Sequence, residues 1–299
     1  MSSTKTLIVI VGPTAVGKTA LAIELAKHFQ TEIISADSRQ FYRELELGTA
    51  KPDASDLVAV PHHLINSHSI SEVVDAGEFE RLALQILNGI FLKNDIAIAV
   101  GGSGLYVQAL CEGLDAVDVR DDKLRDELSA MSLLQLQEML CGLDPEYFEE
   151  VDQHNPQRLM RAIEVSKITG KKYSEIRTGA KKNRDFNCLK IGLNDDREVL
   201  YNRINQRVDA MVLAGLEDEA RSLLPFKNSY ALQTVGYSEW FDYFEGKITR
   251  EQCIDLIKRN SRRYAKRQLT WFKRDKEIAW FDVGKLDELF KFVENRYAR

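Results

Sequence analysis

Short apolar runs alternate with longer amphipathic segments along most of the chain. Four runs have the length and aliphatic content of strands buried on both faces, namely residues 7–11, 33–36, 96–100 and 189–193. Between them, residues 19–29 and 78–92 repeat apolar side chains with helical periodicity. Strands that alternate with helices in this way predict an α/β fold with a doubly wound parallel sheet.

The alternation stops after Leu110. From residue 113 to about residue 185 the sequence has no strand-like run, whereas residues 122–140 and 156–168 have helical periodicity. We therefore expect a catalytic core of residues 1–112 and 186–299, which ends in a basic helical region. A helical insertion domain of residues 113–185 interrupts this core.

A glycine-rich sequence joins the first strand-like run to the first amphipathic segment. It consists of Gly12, Pro13, Thr14, Ala15, Val16, Gly17, Lys18 and Thr19, and it fits the phosphate-loop pattern G-x-x-x-x-G-K-[ST]. Backbone N–H groups and a helix N-terminus bind a diphosphate or a nucleotide such as ATP at such a loop. We expect Lys18 to contact the terminal phosphate oxygens and Thr19 to hold Mg²⁺. The motif predicts a P-loop NTPase-like fold, but kinases, ATPases and diphosphate-releasing transferases all use it.

The second strand-like run ends in a polar sequence that contains Asp37. Ligands bind at the carboxyl ends of strands in a doubly wound sheet, so Asp37 should face the phosphate loop. A carboxylate there can accept a proton from a nucleophile, hold Mg²⁺ through water, or only cap a helix.

The composition is that of an ordinary globular chain, with 44% hydrophobic residues and a net charge of −5. The apolar run at residues 7–11 is too short to span a membrane, so we expect a cytoplasmic protein. The four cysteines lack C-x-x-C spacing and are interpreted as buried free thiols: Cys111, Cys141, Cys188 and Cys253. The adjacent His62 and His63 lack nearby cysteines or an acidic cluster at metal-ligand spacing, and we expect hydrogen-bonded structural roles for both.

Positive charge is concentrated near the C-terminus. Residues 258–276 contain nine Lys or Arg and one Asp, about +8, so that the other 280 residues sum to roughly −13. At 100° per residue, all nine basic side chains fall within one half-circle, and apolar residues such as Ile257 and Phe272 fall in the other. This pattern predicts a helix packed on one side and positive on the other, which suits the phosphate backbone of a nucleic acid. A merely solvated face and a membrane surface are the alternatives.

Several short sequences accompany the phosphate loop in a fixed order along the chain. They are ADSRQ at 36–40, GTAKP at 48–52, PHHLI at 61–65, GGSGLY at 101–106, NPQRLMRAIEV at 155–165, TVGY at 234–237 and RRYAKRQLTWF at 262–272. Together with GPTAVGKT at 12–19, this series resembles the tRNA dimethylallyltransferase (tRNA isopentenyltransferase) family over nearly the whole chain. One departure is Ser103, where the family usually has threonine; the hydroxyl is kept.

The resemblance implies transfer of the dimethylallyl group from dimethylallyl diphosphate to the exocyclic amine of an adenosine beside the anticodon in tRNA, releasing diphosphate. It implies that Asp37 is the general base and that Lys18 and Thr19 bind diphosphate and Mg²⁺. Arg203 and Arg207 are candidates for stabilising the departing diphosphate, or are solvated helix arginines.

The resemblance also implies a set of tRNA-contacting positions. They are Asp37, Ser38, Arg39, Gln40, Ser103, Arg125, Gln157, Arg158, Leu159, Met160, Arg161, Lys266, Arg267, Gln268, Leu269, Thr270, Trp271, Phe272 and Lys273. Arg263 joins this set as part of the basic face. The expected partners are the tRNA anticodon stem-loop and dimethylallyl diphosphate, with no membrane and no obligate protein partner.

Three other functions fit part of the pattern. One is a small-molecule or nucleotide kinase, whose lid arginines would be Arg158 and Arg161. A second is a non-catalytic or ATP-switched RNA-binding protein, and a third is an enzyme that prenylates free adenine nucleotides. The basic helix disfavours the first and third, and Asp37 beside the phosphate loop disfavours the second.

Overall fold

The computed structural model describes residues 5–114, 119–177 and 179–297. The chain divides into two compact units, one formed by Met1–Glu112 with Arg184–Arg299 and the other by Gly113–Asn183. In the parts that are described, the larger unit contains all the strands and the smaller one is helical.

The larger unit is built on a six-stranded sheet in the order β3-β2-β4-β1-β5-β6. Its strands are β1 (Thr6–Val11), β2 (Ile33–Ser35), β3 (His62–His63), β4 (Ile96–Val100), β5 (Asn187–Asn194) and β6 (Ala279–Asp282). Every neighbouring pair is parallel. The predicted α/β fold with a parallel sheet is therefore confirmed, and the structure adds two strands, β3 and β6, that the apolar pattern did not indicate.

The helices fall into three groups along the chain: those before the smaller unit, those within it and those after it. Those before it are α1 (Lys18–His28), α2 (Ala54–Ala59), α3 (Ala76–Phe91) and α4 (Gly104–Glu112). Those within it are α5 (Asp122–Ser129), α6 (Leu133–Leu143), α7 (Pro145–Glu150), α8 (Pro156–Thr169) and α9 (Tyr173–Ile176). Those after it are α10 (Arg197–Leu213), α11 (Leu216–Ser222), α12 (Ser238–Phe244), α13 (Arg250–Phe272) and α14 (Leu286–Tyr297), with 3₁₀ turns at Leu224–Phe226, Tyr230–Leu232 and Val283–Lys285.

The central strands explain why the sheet is stable. All of β4 and all of β1 except Thr6 are buried, as expected of parallel strands covered on both faces. Leu21, Leu25 and other residues of α1 pack into the same core cluster as the sheet. β1 and β2 lie on either side of β4, so their carboxyl ends are at the same edge of the sheet, and the loops that follow these strands form the site described below.

The smaller unit has a core of its own. Leu128, Leu136, Leu140, Leu159 and Ile163 are all buried in it. The prediction of a single helix over residues 122–140 is wrong, because α5 ends at Ser129 and α6 begins at Leu133. The Ser132 hydroxyl accepts the N–H of Gln135, and the Gln135 side chain accepts the N–H of Ser132. This capping box starts a new helix within an uninterrupted apolar periodicity.

All four cysteines are free thiols. Cys111 and Cys253 are buried, but Cys141 is exposed on α6, which corrects the expectation that all four would be buried. None of the helices in the described residues is long and apolar enough to cross a bilayer.

Candidate active site

The phosphate loop connects β1 to α1, as its motif predicts. Gly12 has φ = +145°, and a Cβ added there would lie 2.6 Å from the carbonyl oxygen of Leu193 on β5. Gly17 caps α1 with φ = +103°, in the left-handed region that favours glycine. The two motif glycines therefore permit the tight turn that places the loop at the N-terminus of a helix.

A polar cavity of about 380 Å³ opens over this loop. The phosphate loop contributes Thr14, Ala15, Gly17, Lys18 and Thr19 to its lining. Asp37 from the end of β2 and Arg207 from α10 line it as well. The cavity thus combines a helix N-terminus with two basic side chains, an arrangement that attracts an anion.

Lys18 is held within the cavity. Its Nζ donates to the carbonyl oxygen of Pro13 at 2.8 Å. Burial lowers the pKa of Lys18 to about 8, an effect that the negative charge of Asp37 opposes and the positive charge of Arg207 increases. A bound diphosphate would favour the charged amine at this position.

A wider cavity of about 590 Å³ adjoins the polar one. The lining residues that both cavities share are Thr14, Asp37, Thr49, Ala50, Arg207 and Tyr264. One side of the wide cavity is apolar, with Val208, Met211 and Ile257, whereas Arg263 and Arg267 bring positive charge. Asp37 therefore belongs to a wall that faces both cavities.

Local hydrogen bonds fix the turn that carries Asp37. Its Oδ1 accepts the N–H of Arg39 at 2.9 Å, and the hydroxyl of Ser103 accepts the N–H of Ser38 at 3.0 Å. Burial and the charge of Asp37 raise the pKa of Tyr264 to about 12, so the Tyr264 hydroxyl stays protonated. Ser103, the position that departs from the family pattern, keeps its hydroxyl in this turn.

Gln268 ties α13 to the phosphate loop. Its Oε1 accepts the N–H of Thr14 at 2.8 Å, and its Nε2 donates to the carbonyl oxygen of Gly102 at 3.0 Å. A Cβ at Gly102 would lie 2.0 Å from Gln268 Nε2, and one at Gly104 would lie 2.2 Å from Trp271 Cδ1. The glycines of GGSGLY are thus explained by the close approach of α13. Gln268, a predicted tRNA contact, has its amide engaged inside the protein.

The two candidate arginines on α10 lie in different environments. Arg207 lines both cavities, and its Nη1 lies 3.4 Å from the hydroxyl of Thr14. Arg203 lines neither cavity; it pairs with Asp195 at 2.7 Å and its side chain is 43% exposed. The hypothesis of a role at the diphosphate is therefore kept for Arg207 and abandoned for Arg203.

The basic helix is shorter than the charge pattern suggested. Helix α13 ends at Phe272, so Lys273, Arg274 and Lys276 lie beyond it. Two of its basic side chains are held internally, since Lys258 pairs with Asp209 at 2.6 Å and Arg262 donates to Asn205. The prediction of nine basic residues on one helical face is therefore wrong. Arg259, Arg263, Lys266 and Arg267 remain exposed on α13.

The other predicted tRNA-contacting positions differ in exposure. In the smaller unit, Leu159 is fully buried, and Arg125 and Arg161 both bind the buried carboxylate of Glu164. Phe272 on α13 is buried too. The side chains of Leu159 and Phe272 therefore cannot contact RNA. The exposed positions are Gln157, Arg158, Lys266, Arg267, Thr270 and Lys273, and those of intermediate exposure include Ser38, Arg39, Gln40, Met160, Leu269 and Trp271.

The two histidines form the hydrogen bonds expected of structural residues. His63 Nε2 lies 2.6 Å from Glu32 Oε2, and His62 Nδ1 lies 2.8 Å from the carbonyl oxygen of Val60. His62 also lines the polar cavity, a position that the sequence did not indicate. The sequence also did not indicate that three further residues line the cavity: Thr49, Ala50 and Tyr264. Each of them lies in one of the family sequence motifs, and this was the only indication of a role that the sequence offered.

One acidic cluster has the composition of a metal site. Glu112, Asp275 and Glu277 converge, but the Lys190 ammonium binds all three carboxylates at 3.0, 2.7 and 2.9 Å. The buried lysine engages an oxygen of each carboxylate and offsets part of their negative charge. The cluster is therefore interpreted as a structural ion-pair network.

The fold and these two cavities define a phosphate-loop α/β protein whose site suits a diphosphate and a second reactant that reaches the Asp37 wall. A family model described as IPP transferase matches residues 40–275.

Relatives match over nearly the whole chain. The tRNA dimethylallyltransferase of Cytophaga hutchinsonii is 51% identical, covering 97% of this chain and 97% of the relative. That of Christiangramia forsetii is 48% identical, covering 97% and 98%. Among solved structures, the full-length tRNA isopentenylpyrophosphate transferase from Bacillus halodurans is 39% identical with a TM-score of 0.75, covering 98% of this chain and 97% of that one. A eukaryotic dimethylallyltransferase acting on tRNA is 27% identical with a TM-score of 0.80, covering 98% and 77%. The chain belongs to the tRNA dimethylallyltransferase family and is a transferase.

Proposed function

We propose that this chain transfers the dimethylallyl group of dimethylallyl diphosphate to the exocyclic amine of an adenosine beside the anticodon in tRNA, releasing diphosphate. The observation that carries the proposal is the position of Asp37 on the wall shared by the phosphate-loop cavity and the wide cavity. A base at that wall can reach an acceptor in one cavity while the diphosphate occupies the other. We also propose a cytoplasmic location for this reaction.

The phosphate-loop cavity is assigned to the diphosphate. Backbone N–H groups of the loop and the N-terminus of α1 bind anionic oxygens without side-chain charge. Lys18 and Arg207 add positive charge beside them. As the allylic C–O bond breaks, negative charge grows on the leaving diphosphate, and fixed donors in a partly buried site stabilise that charge best.

The oxygen atoms that line this cavity are also suitable ligands for a divalent cation. The hydroxyl of Thr19 and the carboxylate of Asp37 line the same space, and hard cations such as Mg²⁺ prefer oxygen ligands. Thr19 would hold the ion together with diphosphate oxygens. When bound, Mg²⁺ neutralises part of the charge on the leaving group.

Asp37 is assigned to proton removal. The exocyclic amine of adenine is a poor nucleophile, and its nitrogen must lose a proton as it forms the new bond to the allylic carbon. In this scheme the N–C bond forms, the C–O bond to diphosphate breaks, and the proton moves to the Asp37 carboxylate. The adenine must leave the base stack to reach the wall, which costs least in a single-stranded loop.

The exposed cations near the wide cavity are assigned to RNA. Arg263 and Arg267 line this cavity, and Lys266 is exposed on the same helix. Neighbouring phosphates of an anticodon loop would bind such side chains, while the acceptor base enters the cavity. We propose the same role for the exposed Gln157 and Arg158 at the start of α8.

The test uses labelled dimethylallyl diphosphate with three acceptors: tRNA, the same tRNA with guanosine replacing the adenosine beside the anticodon, and AMP. We expect label in the first acceptor alone, its loss with EDTA, and recovery with added Mg²⁺. Label in AMP at a comparable rate would favour prenylation of free nucleotides. Absence of label from all three acceptors would contradict the proposal.

A further inference from the structure

A short segment, residues 47–50, forms part of the boundary between the two cavities. Thr49 and Ala50 line both of them. From the sheet side, the Gln40 amide donates to the carbonyl oxygens of Thr49 and Ala50 at 3.4 and 3.3 Å. Ala50 has φ = +51°, a backbone conformation that is costly for a residue with a side chain. The surrounding contacts must therefore hold this segment in place.

Glu219 on α11 holds the other end of the segment. Its carboxylate accepts the N–H of Leu47 at 2.9 Å and the N–H of Gly48 at 3.3 Å. It also accepts the hydroxyl of Tyr237 at 2.6 Å. Hydrogen bonds to an ionised carboxylate are stronger than those between neutral groups, so these three donors are held firmly.

Tyr237 completes the arrangement. Its side chain is fully buried, and its hydroxyl oxygen accepts the N–H of Gly48 at 3.1 Å. A Cβ at Gly48 would lie 2.5 Å from the Tyr237 ring, so only glycine admits the ring at this distance. Burial and the nearby charge of Glu219 raise the pKa of Tyr237, which keeps its hydroxyl protonated and able to donate.

We propose that Glu219 and Tyr237 are positioning residues for the transfer: they fix segment 47–50 as the wall against which both substrates lie. Neither side chain lines the polar cavity or the wide cavity, so both act through the backbone of Gly48 and its neighbours. The inference rests on the proposed assignment of diphosphate and acceptor to the two cavities. It explains why the GTAKP and TVGY sequences, which are 186 residues apart at their first residues, meet at one point.

The first test is Tyr237→Phe, which keeps the ring against Gly48 and removes the hydroxyl. Because a displacement of 1 Å can reduce a reaction rate about 10²-fold, a smaller shift of the wall should lower the single-turnover rate constant roughly tenfold. Tyr243→Phe on α12 is the matched control, since Tyr243 lines neither cavity, and it should keep the wild-type rate constant.

A second series addresses the carboxylate. Glu219→Gln retains one acceptor oxygen for the backbone N–H groups and should keep more of the rate constant than Glu219→Ala. Reactions are run with enzyme in saturating excess over tRNA and repeated at twice the enzyme concentration, so that a loss of folded enzyme alone leaves the observed rate constant at its wild-type value. Circular dichroism at the assay temperature reports the folded fraction of each variant.

The outcomes separate the two proposals. A lower rate constant in Tyr237→Phe and Glu219→Ala, with partial retention in Glu219→Gln, supports the positioning role. A wild-type rate constant in Tyr237→Phe, or rate constants that return to the wild-type value when the enzyme concentration is raised, would overturn it. Failure of the wild-type protein to transfer the dimethylallyl group would instead contradict the proposed function.

Discussion

The proposed role of Asp37 in proton transfer depends on its position in the cavity linings. Its carboxylate follows β2, is oriented by the N–H of Arg39, and lies close enough to Lys18 and Arg207 in the same cavity for their charges to interact. The turn hydrogen bond alone would be compatible with a structural cap. The presence of the same carboxylate in both cavity linings is what favours proton transfer.

Replacing Asp37 by Asn tests this role at constant size. We expect near-normal binding of tRNA and dimethylallyl diphosphate and a loss of roughly 10² to 10⁴ in turnover, because the amide cannot accept the proton. Single-turnover kinetics beside equilibrium binding of each substrate measure the two effects. Asp185→Asn, at an exposed position outside both cavities, is the control. Normal turnover in Asp37→Asn would remove this residue from the chemistry.

Two predicted tRNA-contacting residues, Arg125 and Arg161, bind the buried carboxylate of Glu164 within the protein. Burial alone would raise the pKa of this carboxyl, but hydrogen bonds from Arg125 and Arg161 and from the N–H of Asp121 lower it below its usual value of 4.5. The carboxylate is 1% exposed. Such a group stabilises the protein above its unfolded-state pKa and loses this effect as the pH falls through the folded value.

We therefore expect Glu164→Gln to lower the melting temperature at pH 7, since one charge leaves two arginines less well paired. The difference from wild type should begin to shrink as the pH falls below about 4.5, where the unfolded carboxyl takes up a proton, and should be lost at the lower pH at which the native carboxyl does so. Thermal unfolding of both proteins from pH 7 to pH 3 measures this. A difference that stays constant across that range would mean that the Glu164 charge does not contribute.

At the scale of elements, α13 has two unlike sides. The inward side places Gln268 and Trp271 against the phosphate loop and the GGSG turn. The outward side exposes Arg263, Lys266 and Arg267 near the wide cavity. A movement of this helix would therefore change the positions of both the phosphate loop and the surface assigned to RNA.

The double replacement of Arg263 and Lys266 by Ala should weaken tRNA binding and flatten its salt dependence. Each lost phosphate contact removes about 0.7 to 0.9 from the slope of log affinity against log salt concentration. Titrations at four salt concentrations measure the slope. Lys285→Ala with Lys291→Ala removes the same charge near and on α14 and should leave the slope unchanged. Equal slopes for the two double variants would argue against RNA binding by α13.

At the scale of the whole molecule, charge and topology support one assignment. The net charge of −5 does not suggest an RNA partner, whereas the strand order brings a phosphate loop, a carboxylate and a helix with exposed cations to one edge of the sheet. A kinase of a small metabolite has no evident need for that exposed helix. The difference between the two functions lies in what the phosphate loop binds.

If dimethylallyl diphosphate is the ligand of the loop, the reaction needs no ATP. The protein and tRNA are first treated with apyrase to remove ATP, and the apyrase is then removed. After addition of Mg²⁺ and dimethylallyl diphosphate, the protein should turn over repeatedly. ATP added in excess should act only as a competitor for the loop, raising the apparent KM for dimethylallyl diphosphate. A strict requirement for ATP would contradict the assignment.

The sequence by itself determined the features that depend on neighbouring residues. The phosphate loop could be predicted because glycine spacing and the flanking strand and helix fix a local backbone path. The central strands could be predicted because burial on both faces requires continuous apolar runs. β3 and β6 could not be predicted, since β3 has only two residues and every residue of β6 is at least partly exposed.

Only the tertiary structure decided which distant side chains share the site. The sequence offered Arg203 and Arg207 equally, and packing of α10 placed only Arg207 in the cavities. Gln268 lies in a basic sequence, yet its amide is bound between Thr14 and Gly102. Glu219 belongs to no motif and was not foreseen. These assignments depend on contacts between residues far apart in the chain, which composition and periodicity do not encode, because local patterns specify a helix face but not its neighbour.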